Sequence, residues 1–206
     1  MIISSLHRFI FVAIPKTGTH SVRQALRRHM GPSDLEQVGL FVQSKLPIPE
    51  LARLQHGHLS LAQVRPFMSA ENFAGLFKFA FVRNPFDRFI SYCAFMTRVQ
   101  GQFERDPKKV MRHFIDNPPW QHILFEPQHR FVTDEDGTML ADRIGRVEAM
   151  QESYDQIAAR IGIPSTTLEK VNSSNRRDFR GYYDDSLVEG VAKLYARDME
   201  LFGYEF

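Results

Sequence analysis

A lysine, a glycine and three hydroxyl side chains are gathered in Pro15-Lys16-Thr17-Gly18-Thr19-His20-Ser21, between an apolar run and an amphipathic one. A strand, a tight glycine-containing turn and a helix together aim several backbone N–H groups at one spot, which attracts phosphate. Lys16 adds a point charge there, and Thr17, Thr19 and Ser21 add hydroxyls. The stretch reads as a cradle for a phosphorylated cofactor, or as an ordinary β–α turn with a solvated lysine. It is not a Walker A loop, in which the lysine follows the second glycine.

Two further clusters carry chemistry. Arg83 follows the apolar run Leu76 to Val82, and Ser91 lies two helical turns on. A guanidinium fork matches phosphate oxygens, and a hydroxyl on the same side completes a pocket. Neighbouring Arg88 reads instead as a partner of Asn84 or a surface charge. In Gln55-His56-Gly57-His58-Leu59-Ser60 the glycine implies a bend between two imidazoles. A neutral imidazole near pH 7 is suited to take the proton of an attacking hydroxyl. His113, His122 and His129 have no comparable surroundings and read as structural or exposed.

The elements that position these clusters follow from periodicity. Phe9 to Ile14 reads as the first strand and Leu76 to Val82 as a second, the latter interrupted only by Lys78 and so suited to burial on both faces. Val22, Ala25 and Leu26 mark a helix after the first loop, and Pro85 opens another with Phe86, Phe89, Ile90, Cys93 and Met96 as its apolar stripe. Ser33 to Gln55 reads as a connection holding a short strand. A short helix is expected around Leu61 to Phe67 and another from Lys108 to Ile115. Arg130 to Thr133 and Arg143 to Val147 are expected as two more strands. A helix then runs to Gly162, and a single last helix carries Val188, Val191, Ala192, Tyr195, Met199 and Phe202 to Gly203. Alternating strands and helices predict an α/β fold, P-loop-like and three-layered, with a central mainly parallel sheet flanked by helices. Ligands of such folds sit at the carboxyl ends of the strands, where both Lys16 and Arg83 fall.

With 206 residues, 43% hydrophobic and 24% charged, the chain can bury its own core, and residues 1–206 are expected to form a single domain. A net charge of +2 gives no nucleic-acid signature. The charge is uneven: Met1 to Ser33 holds Arg8, Lys16, Arg23, Arg27 and Arg28 and no acid. That field suits an anionic ligand, although Arg27 and Arg28 also fit a solvated helix face. Single Cys93 excludes an internal disulfide. Phe9 to Ile14 is too short to span a membrane, and a cytoplasmic protein is expected. No metal is called for.

The loop Pro15 to Ser21 resembles the 5′-phosphosulfate loop of sulfotransferases. Val82-Arg83-Asn84-Pro85-Phe86-Asp87-Arg88-Phe89-Ile90-Ser91-Tyr92 resembles their 3′-phosphate motif, with matching order and separation. His56-Gly57-His58 is similar to the His-Gly-His of heparan sulfate 2-O-sulfotransferases. Pro127-Gln128, Gly145-Arg146-Val147-Glu148, Asn172-Ser173 and Phe202-Gly203-Tyr204 are similar to the bacterial carbohydrate-sulfotransferase type. The resemblance implies the cofactor 3′-phosphoadenosine 5′-phosphosulfate (PAPS), with adenosine 3′,5′-bisphosphate as product. Its 3′-phosphate would lie on Arg83 and Ser91, and its 5′-phosphosulfate on residues 15–21. The resemblance also implies a hydroxyl acceptor, expected to be a carbohydrate, with His58 as base, His56 helping to form the site and Lys16 stabilising the leaving group. His20 stands where the family has a second Thr or Ser, which removes one hydroxyl contact. Ser173, Arg176 and Arg177 read as a lid over the cofactor or a solvated loop. Arg105, Lys108, Lys109 and Arg112 read as an acidic-glycan surface or a solvated face. The alternatives are a P-loop-type nucleotide-dependent phosphotransferase, which Arg83 in place of a magnesium-binding Asp disfavours, and a non-catalytic nucleotide-binding regulator.

Overall fold

The computed structural model describes residues 1–39, 43–169 and 178–206. Ser173, Arg176 and Arg177 lie outside the described residues. In chain order the elements are β1 (Ile2–Ser4), β2 (Phe9–Val12), α1 (Thr19–Arg27), β3 (Leu35–Glu36), β4 (Val38–Gly39), β5 (Gln43–Ser44), α2 (Pro49–Ala52), α3 (Leu61–Val64), α4 (Ala70–Gly75) and β6 (Phe77–Val82). There follow α5 (Pro85–Met96), α6 (Gln102–Arg105), α7 (Pro107–Asp116), β7 (Arg143–Arg146), α8 (Met150–Ile161), α9 (Asp185–Leu194) and α10 (Ala196–Phe202). The chain separates into two compact units, 1–82 with 128–171 and 83–127 with 172–206.

The first unit is built on a sheet in the order β3-β1-β2-β6-β7. Its centre, β2-β6-β7, is parallel, and β1 and β3 add antiparallel pairs at one side. The expected α/β architecture, with a mainly parallel central sheet flanked by helices, is therefore present. In β2 and β6 the period of two puts Phe9, Phe11, Phe79 and Phe81 on one face, all essentially inaccessible. Cross-strand partners Phe11 and Phe79 stack with centroids 5.4 Å apart. Val22, Ala25 and Leu26 of α1 and Tyr154, Ile157, Ala158 and Ile161 of α8 close over this face. Each such side chain contributes about 1.5–3 kcal/mol by burial. Ile10, Val12, Ala80 and Val82 of the opposite face are equally buried, as the unbroken apolar runs require.

Lys78, the polar interruption in β6, is resolved at the sheet's amino edge. Its ammonium pairs with Asp142 at 2.9 Å and donates to the carbonyls of Phe73 and Leu76, capping the end of α4. Two expectations change in this unit. A strand, β1, precedes Phe9–Val12; its three residues are too few for a periodic signal. Arg130 to Thr133 is not a strand: Gln128–Phe131 forms a 3-10 turn, and Thr133 makes only an isolated bridge to Met139.

The second unit is helical. Phe86, Phe89, Ile90 and Cys93 of α5 pack with Val110 and Met111 of α7 and with Leu187 and Val191 of α9. The expected single last helix is two, because Tyr195 leaves helical geometry (φ −121°, ψ 28°) while its hydroxyl donates to the Phe125 carbonyl at 3.0 Å. Arg88 is not a surface charge. It is 2% exposed and donates to the carbonyls of Leu124 and Glu126, tying α5 to the segment after α7. Lys108 and Arg112 both pair with Asp184, the N-cap of α9, whose carboxyl is held down to about 2 by hydrogen bonds from Ser186 and Lys108.

Candidate active site

The chain leaves β2 and turns through Ala13 to Gly18 into α1. Two residues of that turn occupy the left-handed region, Lys16 (φ 66°) and Gly18 (φ 69°). Glycine does so without penalty, whereas a lysine there costs roughly 1–2 kcal/mol. Thr17 is fully buried, and its hydroxyl donates to the Ile14 carbonyl at 2.9 Å. That bond closes the turn, so the Thr17 hydrogen serves the loop's shape. Gly18 also admits a close neighbour: a Cβ there would lie 2.6 Å from Cε of Met150, at the start of α8. Gly18 is the N-cap of α1, which has no side-chain cap and no acid in its first turn. The first turn of this nine-residue helix thus has neither a capping side chain nor a carboxylate of its own to set against its dipole.

Basic groups surround this entry. Arg23 is 4% exposed and ion-paired with Glu36 at 3.1 Å, and Arg27 donates through Nε to both oxygens of the same carboxylate. Two guanidiniums on one carboxylate leave a net positive charge beneath the loop. His20 is pushed below its ordinary range by burial and then by Arg23, Arg27 and Lys16. It is a neutral hydrogen-bonding group at pH 7.

His58 joins this loop directly. Its Nδ1 lies 2.6 Å from the Ala13 carbonyl, the residue where β2 gives way to the turn. A carbonyl only accepts, so Nδ1 carries the hydrogen and Nε2 keeps its lone pair. Burial drives the imidazole down to about 3; the Ala13 bond opposes this, and the Met1 amino group, Arg23 and His56 add to it. His56 follows with its ring centroid 6.2 Å from that of His58, and it too is shifted down, by burial and the Met1 amino group. The glycine between them is demanded by space: a Cβ on Gly57 would sit 2.1 Å from the Gln37 carbonyl oxygen.

In the second unit Arg83 precedes the N-cap of α5. Its Nε donates to Asp87 Oδ2 at 2.7 Å, and its Nη2 lies 2.6 Å from the same oxygen. Asn84 caps the helix by accepting from the Phe86 N–H at 3.0 Å, with Pro85 at the first helical position. Asp87 and Ser91 are an i, i+4 pair of α5, so Ser91, 9% exposed, follows Asp87 on the same side of the helix. A family model described as the sulfotransferase family matches residues 1–205. The chain belongs to the sulfotransferase family. Comparison with curated proteins and with solved structures found no match. Membership makes this sulfotransferase an enzyme of sulfuryl transfer. Among the described residues no helix is long and apolar enough to cross a membrane.

Of the residues singled out in the sequence, the structure joins Pro15 to Ser21 and His58 at the Ala13 carbonyl. Asp87 and Ser91 are four residues apart on α5, and Arg83, ahead of its N-cap, is ion-paired with Asp87. Sequence reasoning missed the part played by the Ala13 carbonyl, and it missed Gln37 and Glu36. No motif marks these; they matter through contacts made across long stretches of chain.

Proposed function

We propose that this sulfotransferase moves the sulfuryl group of PAPS to a hydroxyl, with His58 as the base and a carbohydrate as the acceptor. The observation that carries the reading is the hydrogen bond from His58 Nδ1 to the Ala13 carbonyl. It fixes the tautomer, leaves a lone pair on Nε2 and ties the imidazole to the residue that opens the turn into α1. A hydroxyl that attacks sulfur must lose its proton, and a neutral imidazole with one committed nitrogen takes it on the other.

The residues present fit an anionic cofactor. The entry of α1 has no side-chain cap and no first-turn acid, and the nearest charges are cationic. Thr19, Ser21 and the first N–H groups of α1 would hold the 5′-phosphosulfate with Lys16, and Pro15 and Gly18 shape the turn. Arg83 and Ser91 would take the 3′-phosphate, and His20 would supply a hydrogen bond where the family has a hydroxyl. PAPS supplies an activated sulfuryl group: the bond from sulfur to the acceptor oxygen forms as that from sulfur to the phosphate oxygen breaks. Lys16 neutralises the charge that collects on the departing oxygen. His58 Nε2 takes the acceptor proton, and His56, its ring centroid 6.2 Å away, helps to form the site. An imidazole near 3 is a poor base on its own, but an anion bound beside it favours the imidazolium and raises its pKa.

The test is transfer of labelled sulfate from PAPS to a panel of glycans and small hydroxyl compounds by wild type and by His58→Ala. Wild-type transfer that falls about 10²–10⁴-fold in the variant, with adenosine 3′,5′-bisphosphate binding kept, supports the reading. Undiminished turnover in His58→Ala would sink the base assignment. Thermal stabilisation by ATP with magnesium, and none by adenosine 3′,5′-bisphosphate, would overturn the cofactor.

A further inference from the structure

Gln37 is the residue between β3 and β4, and it is only 2% exposed. An amide without solvent has to satisfy its polar atoms inside the protein, and this one does so on the backbone that leads into the imidazoles. Its Nε2 donates to the Leu51 carbonyl at 2.8 Å and to the His56 carbonyl at 2.9 Å, and its Oε1 accepts from the Leu46 N–H at 3.2 Å. Its own N–H donates to the Met1 carbonyl at 3.0 Å, which anchors it to β1.

The two backbones that meet here have no room to slide. A Cβ on Gly57 would be 2.1 Å from the Gln37 carbonyl oxygen, and a Cβ on Gly39 would be 2.2 Å from that of Gln55. Residues 37–39 and 55–57 are therefore in direct main-chain contact, with the Gln37 amide stitched through it. His58 leaves that contact towards the Ala13 carbonyl.

We propose that Gln37 is the positioning residue of the His56-Gly57-His58 segment: its amide fixes the His56 carbonyl and so holds His58 on Ala13 with Nε2 presented to the acceptor. The consequence for catalysis rests on the reading of His58 as base. A primary amide is the one short side chain that offers two donors and an acceptor together. Glutamate would set oxygens against the carbonyls of Leu51 and His56, and asparagine would withdraw the amide by one methylene.

The experiment compares wild type, Gln37→Glu and Gln37→Asn by steady-state sulfate transfer and by nitrogen-detected NMR of the histidine rings. The Met1 amino group, Arg23 and His56 are the charged and titratable neighbours of His58, and both variants keep them. The expected result is a fall in kcat of about 10–100-fold with the KM for PAPS unchanged. In the same variants the protected Nδ1 hydrogen of His58 is lost, and the ring no longer holds a single tautomer. Gln37→Asn covers the case in which the glutamate variant does not fold. A His58 ring spectrum identical to wild type in folded variants would overturn the proposal. If wild type transfers no sulfate, the proposed function fails, while the ring spectra still decide whether Gln37 positions His58.

Discussion

Two helices of this protein, α1 and α5, each follow directly on a strand of the parallel sheet, and their entries are built in opposite ways. At α1 the N-cap is Gly18 in the left-handed region, with no side-chain cap and no acid in the first turn. At α5 the Asn84 side chain takes the Phe86 N–H, Pro85 has no N–H to offer, and Asp87 stands in the first turn. The first entry sets no capping side chain or acid against its backbone donors and dipole; the second has spent them on its own side chains. In the proposed reading anion binding near α5 therefore falls to a side chain, Arg83, which is ion-paired with Asp87. Two anionic groups of one cofactor would be gripped by different physics, a backbone field at one helix and a guanidinium fork at the other.

Lys16 gives the largest effect that can break this contrast. It occupies the left-handed region (φ 66°) at a steric cost, and such cost persists where function requires it. Replacement by glycine removes the charge while relieving the backbone. Lys16→Gly is expected to lower sulfate transfer about 10²–10³-fold and to raise stability in a thermal melt, by about 1 kcal/mol. A variant that is more stable and fully active would reduce Lys16 to a turn residue and leave the entry of α1 without its chemistry.

Arg83 is the corresponding position at α5. Arg83→Ala removes charge-assisted hydrogen bonds of about 1.5–3 kcal/mol, so the Kd for adenosine 3′,5′-bisphosphate measured by calorimetry should rise roughly 10–100-fold. Adenosine 5′-phosphosulfate, which lacks the 3′-phosphate, should bind as before. An equal loss for both ligands would detach Arg83 from the 3′-phosphate.

Protonation extends the contrast, because the α1 side combines cations with imidazoles kept neutral. His58 lies near 3 in the folded protein, against about 6.5 in an unfolded chain. Between those values the unfolded state binds the extra proton, so stability rises with pH across the window and is lost as pH falls from about 6.5 towards 3. Above the window His58 is neutral in both states and contributes no slope. Melting temperatures of wild type and His58→Asn between pH 7 and 4 check this: the substitution should flatten the acid limb. Parallel curves would mean that His58 titrates normally, and burial would lose its role in keeping the imidazole neutral.

What could be read from the sequence divides along the same lines. The entry of α1 is local: Gly18, Lys16 and the apolar run before them are adjacent in the chain, and the turn follows from their order. The α5 entry was half legible. Pro85 announces the first turn, but Asp87 as the holder of Arg83 appears only once the helix sets the i, i+4 spacing. Arg88 was misread because no sequence pattern shows that a guanidinium will find the carbonyls of Leu124 and Glu126. His58 was visible as a candidate by its neighbours, whereas its tautomer depends on Ala13, far away in the chain. Gln37 carries no signal at all, since its partners are backbone groups and any residue has those. Strands of two and three residues, β1 and β3 among them, escape periodicity for want of length.

The smallest effect is the most discriminating test of the α5 entry. Asp87 holds Nε and Nη2 of Arg83 on one oxygen, with both side chains partly exposed. Asp87→Asn removes an i, i+4 ion pair and a first-turn acid, together about 0.3–1 kcal/mol of stability. Its effect on ligand binding has two opposing parts. A negative charge near the 3′-phosphate is withdrawn, which helps; the arginine loses the contact that orders it, which returns up to about 2 kcal/mol of side-chain freedom to the unbound state. If Asp87 serves to orient the fork, affinity for adenosine 3′,5′-bisphosphate falls, by less than in Arg83→Ala, and the loss persists in high salt, where screened charges matter little. If affinity instead rises, and rises most at low salt, Asp87 competes with the phosphate for Arg83, and the closed entry of α5 is a counter-ion that the cofactor must displace.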